Sequence, residues 1–464
     1  TQYMDFAKTS FGRKLYDTYG ITQGDQRLIQ VLNSQFCGEE PIQKVRPEKI
    51  MTVRGDTLYY QISDGRMVKV DASGIRIMQN GGDEVLFEGE MVEEIDHTEL
   101  SKALAQLSGK RPKNLWYEVL KQSRIESSPD DRSRKLLSYL YSLSPWMYRW
   151  RGTQLPLEQM LGEAGSGKST LYKLRQLIIS GSSYLRNAPK DLKDWTASIA
   201  SSGSLHVTDN VHMSGGVLKQ QLSDELCRVI TEDEPFIESR KLYTDNDLIR
   251  VPVRCVFAVT AIKQPFTNTD IIQRSIIAQL DKGTEVIEYD ASWVENQIEK
   301  HGGRVMMVAQ QLHFIHHLFV HIKKTWDLRY RARFRLINIE QLLVKTAEVY
   351  GEDPSWVAGY LEKTRDTITA NTDSALEGLL SFAENLRAKN PPKKWDTIIF
   401  TSREMAEWFA SEEEWELNTV LVNARKLGHY IEEKKNTIAH IAGIAPTGAK
   451  RNNYKTYKLI PVSD

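Results

Sequence analysis

A glycine-rich run followed by lysine and serine is the feature of this 464-residue sequence that most constrains its fold. Residues 162–169 read Gly-Glu-Ala-Gly-Ser-Gly-Lys-Ser and fit the pattern GxxxxGK[S/T]. A short strand is predicted over residues 157–161, and a helix with apolar residues at helical spacing over 169–179. Glycines let the backbone wrap around phosphates, whose charge then meets N–H groups and the helix amino terminus. The run therefore predicts a nucleotide site in an α/β domain.

The residues of this loop have separate expected roles. Lys168 is predicted to reach the β- and γ-phosphates, and the Ser169 hydroxyl is predicted to ligate Mg²⁺. The alternative is a glycine-rich turn with a coincidental lysine, which gives no reason for the flanking strand and helix. The predicted cofactor-binding residues are Gly162, Glu163, Ala164, Gly165, Ser166, Gly167, Lys168, Ser169 and Thr170.

A second predicted strand ends in an acidic residue. Residues 204–210 read Ser-Leu-His-Val-Thr-Asp-Asn, so Asp209 is expected at the strand end, on the Mg²⁺ side of the site. The next position often carries a glutamate that polarises the attacking water, but here it is Asn210. An amide orients water without accepting its proton. Asp224 and Glu225 are alternative bases, and a helix-surface role for both is equally open.

A third strand and a hairpin complete the predicted site. The strand spans residues 253–262 and contains Thr260, which suits contact with the γ-phosphate or the water; a strand-end Thr without such a role is the alternative. Two β-prone arms, in residues 237–251, flank a polar turn and predict a hairpin that carries Arg240, Lys241 and Arg250. These three residues are the predicted nucleic-acid contacts, and the alternative is a surface hairpin with solvated charges.

Charge and cysteine content narrow the function classes. Sixty-one basic and 61 acidic side chains cancel, so any basic surface for a nucleic acid must be local. Three widely spaced cysteines, with no CxxC, exclude a disulfide scaffold and a cysteine zinc site, and they favour a cytoplasmic setting. No apolar run approaches the roughly 18 residues of a membrane span. The first residue is Thr, which is consistent with a processed chain or a piece of a longer polypeptide.

Composition shifts divide the chain into five predicted regions. Residues 57–62 and 67–70 flank an Asp-Gly turn and predict one hairpin; residues 75–78 and 85–87 predict a second. The regions are a mixed strand and helix region of unknown role over 1–110, a helical connector over 111–151, the α/β nucleotide domain over 152–294, a helical domain over 295–390 and a small unit over 395–464.

The order of these motifs resembles superfamily 3 helicases, which are ring-forming AAA+ ATPases of phages, viruses and plasmids. A phosphate loop, an Asp-ending strand, a basic hairpin, a sensor strand and a late arginine all fall within residues 162–274. Residues 222–228, 240–245 and 270–275 are similar to those of ATP-binding replication proteins of phages and integrative elements. Some of these relatives carry a primase upstream, so a primase partner or a fused primase is expected.

The resemblance implies an α/β fold with a P-loop AAA+ ATPase core that binds ATP and Mg²⁺. The predicted catalytic set is Lys168, Asp209, Asn210, Thr260 and Arg274. In the family the hairpin lines a central channel and touches the nucleic-acid backbone, which implies that role for Arg240 and Lys241. The late arginine acts on the neighbouring subunit's nucleotide, which implies Arg274 and a homo-oligomer, a hexameric ring. Asn210 departs from the family pattern and puts the hydrolytic rate in doubt.

The unit over 395–464 resembles a winged helix. Its pattern predicts a strand, three helices and a terminal hairpin, with a long helix over residues 424–442. Between Arg425 and Lys458 there are eight basic and two acidic residues, a local charge of +6 that favours phosphate contacts. A winged helix that binds protein is the alternative.

Two further clusters have less specific patterns. His313, His317 and His321 recur every four residues with no companion glutamate or cysteine at metal-site spacing, so an ordinary polar helix face is expected. Six Lys and Arg residues between 323 and 335 predict a solvated face, with contact to nucleic acid or a neighbouring subunit as the alternative.

Taken together, the residues and the resemblance predict an ATP-dependent DNA helicase or translocase of mobile-element or phage replication, acting on single-stranded or forked DNA. The alternative is an AAA+ initiator or loader that binds DNA and ATP without unwinding. These readings differ in whether forked DNA is separated and whether ATP is turned over.

Overall fold

The strand, loop and helix predicted around Lys168 are present in the structure of the protein, a computed structural model. Its residues form two units: the first holds the chain up to 263, 277–332 and 336–357, and the second holds 264–276, 333–335 and 358–464. The five predicted regions stay a prediction. The residues that the structure describes are 47–88, 93–125, 130–211, 217–240, 248–266, 268–281, 289–363, 374–391, 395, 397–412, 415 and 418–461.

The first unit begins with a four-stranded antiparallel sheet. Its strands, in order, are β1 (Met51–Arg54), β2 (Thr57–Ser63), β3 (Arg66–Asp71) and β4 (Gly74–Gln79). The first predicted hairpin, β2–β3, is confirmed by the register that pairs Tyr60 with Val68. The second is wrong, because β4 pairs with β3 and Phe87 instead bridges to Glu48.

Three helices among the described residues follow this sheet and lead to the central α/β sheet. Trp146 and Trp150, two of the aromatic residues of the predicted connector, are fully buried. The indole of Trp150 donates a hydrogen bond to Asp56 Oδ1 at 2.8 Å, which ties the connector to the first sheet. The helices are α1 (His97–Leu107), α2 (Leu115–Leu120) and α3 (Arg132–Leu143).

The central sheet has five strands in the order β11-β5-β10-β7-β6. Strand β10 pairs in parallel with both β5 and β7, so the carboxyl ends of these three strands meet at one edge of the sheet. That edge carries the phosphate loop, Asp209 and Thr260. In chain order the elements are β5 (Leu157–Gly162), α4 (Lys168–Ser180), β6 (Arg186–Asn187), α5 (Leu192–Ala200), β7 (Leu205–Asp209), α6 (Val217–Thr231), β8 (Phe236–Arg240), β9 (Leu248–Pro252), β10 (Val256–Ala261), α7 (Thr269–Ile272) and β11 (Ser275–Leu280).

Helices dominate the next segment, as the sequence predicts. They are α8 (Ala291–Lys300), α9 (Gly303–Thr325), α10 (Ile337–Tyr350), the helical residues 357–363, and α11 (Ser374–Lys389). Helix α9 buries twelve of its 23 residues, and Arg304 at its start donates to the carbonyl of Leu177 at 2.8 Å. This helix is therefore part of the core of the first unit.

The second unit has a core of its own, formed around Leu376, Phe409 and Leu427. Its three-stranded antiparallel sheet has the order β12-β14-β13. The single helix predicted over 424–442 is wrong, because the chain leaves helical geometry at Lys434 (φ −107°, ψ 22°). The elements are β12 (Ile399–Thr401), α12 (Ser402–Ser411), α13 (Ala424–Glu433), α14 (Lys435–Ile441), β13 (Ile444–Arg451) and β14 (Tyr454–Leu459).

Candidate nucleotide-binding site

The loop between β5 and α4 has the backbone that a phosphate site requires. Gly162, Gly165 and Gly167 have φ values of 148°, 79° and 93°, which residues with a Cβ rarely adopt. A Cβ on Gly167 would lie 2.8 Å from the ring of Tyr289, so there is also no room for a side chain there. The exposed turn of the loop is formed by Glu163, Ala164 and Gly165.

Lys168 is held inside this loop. Its side-chain Nζ donates to the carbonyls of Gly162 and Glu163 at 2.6 and 2.7 Å, and to Ser166 Oγ at 3.3 Å. Burial lowers the pKa of Lys168 below its ordinary value, while the charge of Asp209 raises it. A desolvated ammonium surrounded by carbonyl oxygens gains from an anion in the same loop.

Three side chains from three separate elements meet at one carboxylate oxygen. Ser169 Oγ donates to Asp209 Oδ1 at 2.6 Å, and Thr260 Oγ1 donates to the same atom at 2.5 Å. Ser169 lies in the first turn of α4, Asp209 ends β7, and Thr260 lies near the end of the buried strand β10. The structure therefore brings together the three residues that the sequence predicts for the metal and sensor positions.

Asn210 adopts a left-handed backbone conformation, with φ 52°. Its N–H donates to Thr260 Oγ1 at 2.9 Å, and its side-chain amide lies 3.5 Å from Asp209 Oδ2. Asparagine tolerates this conformation better than most residues with a Cβ. This backbone conformation therefore suits an asparagine, at a position that often carries a glutamate.

The donor set of Ser169 and Asp209 suits Mg²⁺. A hydroxyl and a carboxylate are hard oxygen ligands, and Mg²⁺ is commonly held by one or two carboxylates together with substrate phosphates. Among the described residues, no group of three or more His, Cys, Asp or Glu side chains could hold a metal ion. One hydroxyl and one carboxylate are thus the oxygen ligands that the described residues bring together here.

Tyr289 is a residue of this site that sequence reasoning missed. Its ring packs against Gly167, and its carbonyl accepts a hydrogen bond from Thr170 Oγ1 at 2.9 Å. The ring is also 5.4 Å from that of Trp293, centroid to centroid. The sequence offered one signal, an aromatic residue directly before the N-cap Asp290. That signal does not indicate which residues the ring contacts.

The alternative bases differ in their surroundings. Glu225 is bound by Arg228, whose Nε donates to it at 3.1 Å, and Arg228 also contacts Glu232 at 2.8 Å. Glu225 is thus a member of an ion-pair chain along α6. Asp224 is exposed on the same helix.

The basic hairpin is present as the antiparallel pair β8–β9, with Glu238 opposite Arg250. Arg250 contacts the Glu238 carboxylate at 3.2 Å and lies over the ring of Phe236, 4.6 Å from its centroid. Arg240 ends β8, but its side chain and the whole of Lys241 lie outside the described residues. Their nucleic-acid roles stay predictions.

Arg274 belongs to the second unit and is buried there. The residue is 6% exposed, and its guanidinium contacts the Asp270 carboxylate at 2.5 Å and the Asp270 carbonyl at 2.8 Å. Arg335, from the predicted basic stretch, reaches the same carboxylate at 2.6 Å. An action of Arg274 on a neighbouring nucleotide requires this ion pair to open.

The histidines of α9 do not share one surface. His313 is buried and lies 3.2 Å from His317, Nε2 to Nε2, whereas His321 pairs with Glu348 at 2.5 Å. His316 contacts the carbonyl of Asp71 at 2.8 Å. The expected polar face is therefore wrong for His313, which packs in the interior.

A family model described as the replication protein of actinomycete integrative conjugative elements matches residues 149–300. That range is about one third of the chain, and it contains the phosphate loop, Asp209, the hairpin and Thr260. No curated protein sequence matches the chain.

Several solved structures are similar over much of the chain. An apo form of the NrS-1 C-terminal region is 12% identical, covers 94% of this chain and 90% of its own, and has a TM-score of 0.37. Another structure of that region is 12% identical over 91% and 78%, with a TM-score of 0.36. JCV helicase is 14% identical over 54% and 68%, with a TM-score of 0.23. These scores are too low to identify a shared fold.

Of the helices that the structure describes, none is long and apolar enough to cross a membrane.

Proposed function

We propose that the protein is an ATP-dependent DNA helicase or translocase of the superfamily 3 type. The observation that carries this proposal is the meeting of Ser169, Asp209 and Thr260 beside the loop that holds Lys168. A hydroxyl, a carboxylate and a buried lysine at the ends of adjacent parallel strands form an arrangement suited to phosphoryl transfer.

Each residue has a defined task in this proposal. The N–H groups of the loop and the ammonium of Lys168 bind the phosphates of ATP, and Ser169 and Asp209 hold Mg²⁺. Bound Mg²⁺ supplies charge neutralisation on the β- and γ-phosphates. The Thr260 hydroxyl donates to the Asp209 carboxylate and accepts from the backbone N–H of Asn210. It therefore fixes the positions of these two residues relative to each other. The Asn210 amide orients the attacking water.

Movement along DNA is assigned to the hairpin β8–β9. Arg240, Lys241 and Arg250 supply its positive charge, and phosphate contacts give affinity without sequence preference. The strand, three helices and hairpin of residues 399–459 are proposed as a winged-helix-like domain that adds a second DNA contact. ATP lies between subunits of a ring, proposed as a hexamer, in which Arg274 leaves Asp270 to reach the neighbouring site.

The family match supports a setting in the replication of a mobile element, because it covers the residues of the site itself. The bacterial cytoplasm is the proposed location, since DNA replication takes place there. A primase, separate or fused to the same polypeptide, is a proposed partner.

Asn210 favours a second candidate, an AAA+ initiator or loader that binds ATP and DNA without unwinding. An amide at this position leaves nucleotide binding intact but lacks the proton acceptor that a carboxylate provides. Such a protein would use ATP as a slow switch.

Two assays separate these functions. Strand displacement on forked DNA distinguishes the helicase from the initiator or loader, and ATP turnover distinguishes a loader from a slow switch. Lys168→Ala is expected to abolish turnover, because the loop loses the cation that meets the phosphates. Turnover that is unchanged by Lys168→Ala would remove the basis of the proposal.

Mixed subunits test the assignment of Arg274. Arg274→Ala is expected to bind ATP and hydrolyse it poorly, by a factor that can reach about 10³. Mixing it with Lys168→Ala subunits should restore part of the activity, because one variant keeps the loop and the other keeps the arginine. Mixed rings, verified by mass, that recover no activity would contradict action between subunits.

A further inference from the structure

A cavity of about 710 Å³ lies at the opposite end of the central sheet from the phosphate loop. Its walls include Ser204 and Val253, which precede β7 and β10, whereas the loop and Asp209 follow the carboxyl ends of the strands. Strand β7 has five residues, so the two sites are separated by about 16 Å of strand. The cavity is therefore distinct from the nucleotide site.

The hairpin and the first sheet both contribute to this cavity. Phe236 and Arg250, at the base of β8–β9, line one part, and the four residues of β1 line another. The volume falls in the range of small-molecule and nucleotide pockets. Since the hairpin is the proposed DNA contact, a strand that follows it has a path to this cavity.

Arg149 is the arginine of the cavity for which the described residues supply no ion pair. Its Nε and Nη2 atoms are buried and have no hydrogen-bond partner among the described residues. Its guanidinium carbon lies 5.5 Å from the centroid of the Tyr148 ring. Burial raises the pKa of Tyr148 to about 12, so its hydroxyl remains neutral near pH 7. Buried guanidinium donors of this kind call for an anion.

The other charges around the cavity are differently placed. Glu48 is engaged by Arg54 at 3.8 Å and by Arg254 at 3.4 Å. Asp233 and Glu234 are exposed, so their repulsion of an incoming anion is screened by water and salt. Arg149, which forms no ion pair with a described carboxylate, is therefore the arginine of the wall that is left to meet an anion.

An aromatic platform lies on the same wall. Arg250 packs over the ring of Phe236 at 4.6 Å, and both residues line the cavity. Aromatic rings and arginine planes stack with the bases of single strands, with little sequence preference. An anion contact beside a stacking platform is the pairing that a nucleotide unit requires.

We infer that this cavity binds a nucleotide of single-stranded DNA, with a phosphate on Arg149 and a base on the Phe236–Arg250 platform. The inference rests on the proposed function, which supplies the strand through the neighbouring hairpin. The cavity thus provides a second contact with the DNA strand, at the base of the hairpin, in addition to the contact proposed for the charged residues of the hairpin.

Fluorescence anisotropy of a labelled oligothymidylate of about 20 nucleotides tests this site. Arg149→Gln is expected to weaken binding by about tenfold and to make the salt dependence shallower by about 0.7 in the slope of log K against log salt. Phe236→Leu is expected to weaken binding by about fivefold with the salt slope unchanged, because a ring carries no charge. Arg76→Gln, which removes an exposed arginine of β4 outside the cavity, is the matched control and should bind as the wild type does.

The outcomes separate this site from the proposed function. If the wild type binds and unwinds DNA while folded Arg149→Gln and Phe236→Leu proteins bind with its affinity and salt slope, only the cavity inference is overturned. If the wild type hydrolyses ATP but binds no oligonucleotide, the cavity and the DNA role fail together while the ATPase stands. Competition by millimolar dTMP or phosphate, without effect of Phe236→Leu, would identify a small-anion site and overturn the strand site. Should Arg149→Gln not fold, Phe236→Leu decides alone.

Discussion

The ion pair between Glu158 and Arg175 lies beside the phosphate loop and permits a quantitative prediction. Glu158 is in β5 and Arg175 in α4, so the pair joins the strand and the helix on either side of the loop. Their side chains are 1% and 0% exposed. Glu158 also accepts hydrogen bonds from Ser144 Oγ at 2.6 Å and Tyr172 Oη at 3.3 Å, and Arg175 donates to the Ser144 carbonyl at 2.8 Å.

Glu158→Gln leaves a buried guanidinium without its carboxylate. The guanidinium carbon is 3.7 Å from the centroid of the Tyr141 ring, and this contact does not replace a negative charge. Removing one partner of a buried pair costs about 3–5 kcal/mol in free energy of unfolding. At roughly 2–4 °C for each kcal/mol, the thermal midpoint of the first unit falls by about 10 °C.

Differential scanning calorimetry measures this midpoint. Glu118→Gln is the matched control in the same unit, because its ion pair with Lys121 is about half exposed and should contribute nothing measurable. The double variant Glu158→Leu, Arg175→Met removes both charges and is expected to recover most of the loss. If Glu158→Gln unfolds at the wild-type temperature, a buried guanidinium without its carboxylate carries no cost here and the reasoning from burial is refuted.

Three further predictions concern the site and the interior. Thr260→Val removes the hydroxyl that positions Asp209, so kcat for ATP is expected to fall at least about tenfold; an unchanged kcat would count against the sensor role. Asn210→Val should lower the free energy of unfolding by about 1–2 kcal/mol more than Asn210→Gly, because of the φ of 52°; equal urea midpoints would contradict this. Burial lowers the pKa of His206 to about 3 and of His313 to about 4, so the unfolded chain binds these protons more readily. The free energy of unfolding, measured in urea, should therefore decrease as the pH falls from about 6.5 towards 4. A free energy of unfolding that does not change over this range would contradict the prediction.

The meeting of the loop, Asp209 and Thr260 was predictable because its signals are local. The loop, Asp209 and Thr260 each lie at the end of an apolar run, and parallel strands bring their carboxyl ends to one edge. Residue type and strand position were therefore sufficient to place the Ser169 and Thr260 hydroxyls beside one Asp209 oxygen. The first hairpin was predictable for the same reason, since its turn and its arms are adjacent in sequence.

Contacts between distant segments were not predictable from the sequence. Residues 85–87 have the sequence pattern of a strand. In the structure, however, the Phe87 N–H donates to Asn80 Oδ1 at 2.8 Å and the Asn80 side-chain amide donates to the Phe87 carbonyl at 2.9 Å, and no hairpin forms. Tyr289 contacts Gly167, although more than a hundred residues separate them in the sequence. No local sequence pattern indicates this contact. The cavity around Arg149 likewise combines β1, the connector and the hairpin base.

The surroundings of Arg274 depend on contacts that its motif does not reveal. The resemblance implies a role for it at a neighbouring nucleotide, which stays a prediction, and the Asp270 carboxylate four residues earlier is within its reach. Arg335 contacts that carboxylate as well, at 2.6 Å. If Arg274 leaves, Asp270 keeps one cationic partner, which lowers the cost of opening the pair. A buried arginine that shares its carboxylate with a second arginine is thus compatible with a residue that reaches a γ-phosphate only when a neighbouring subunit presents one.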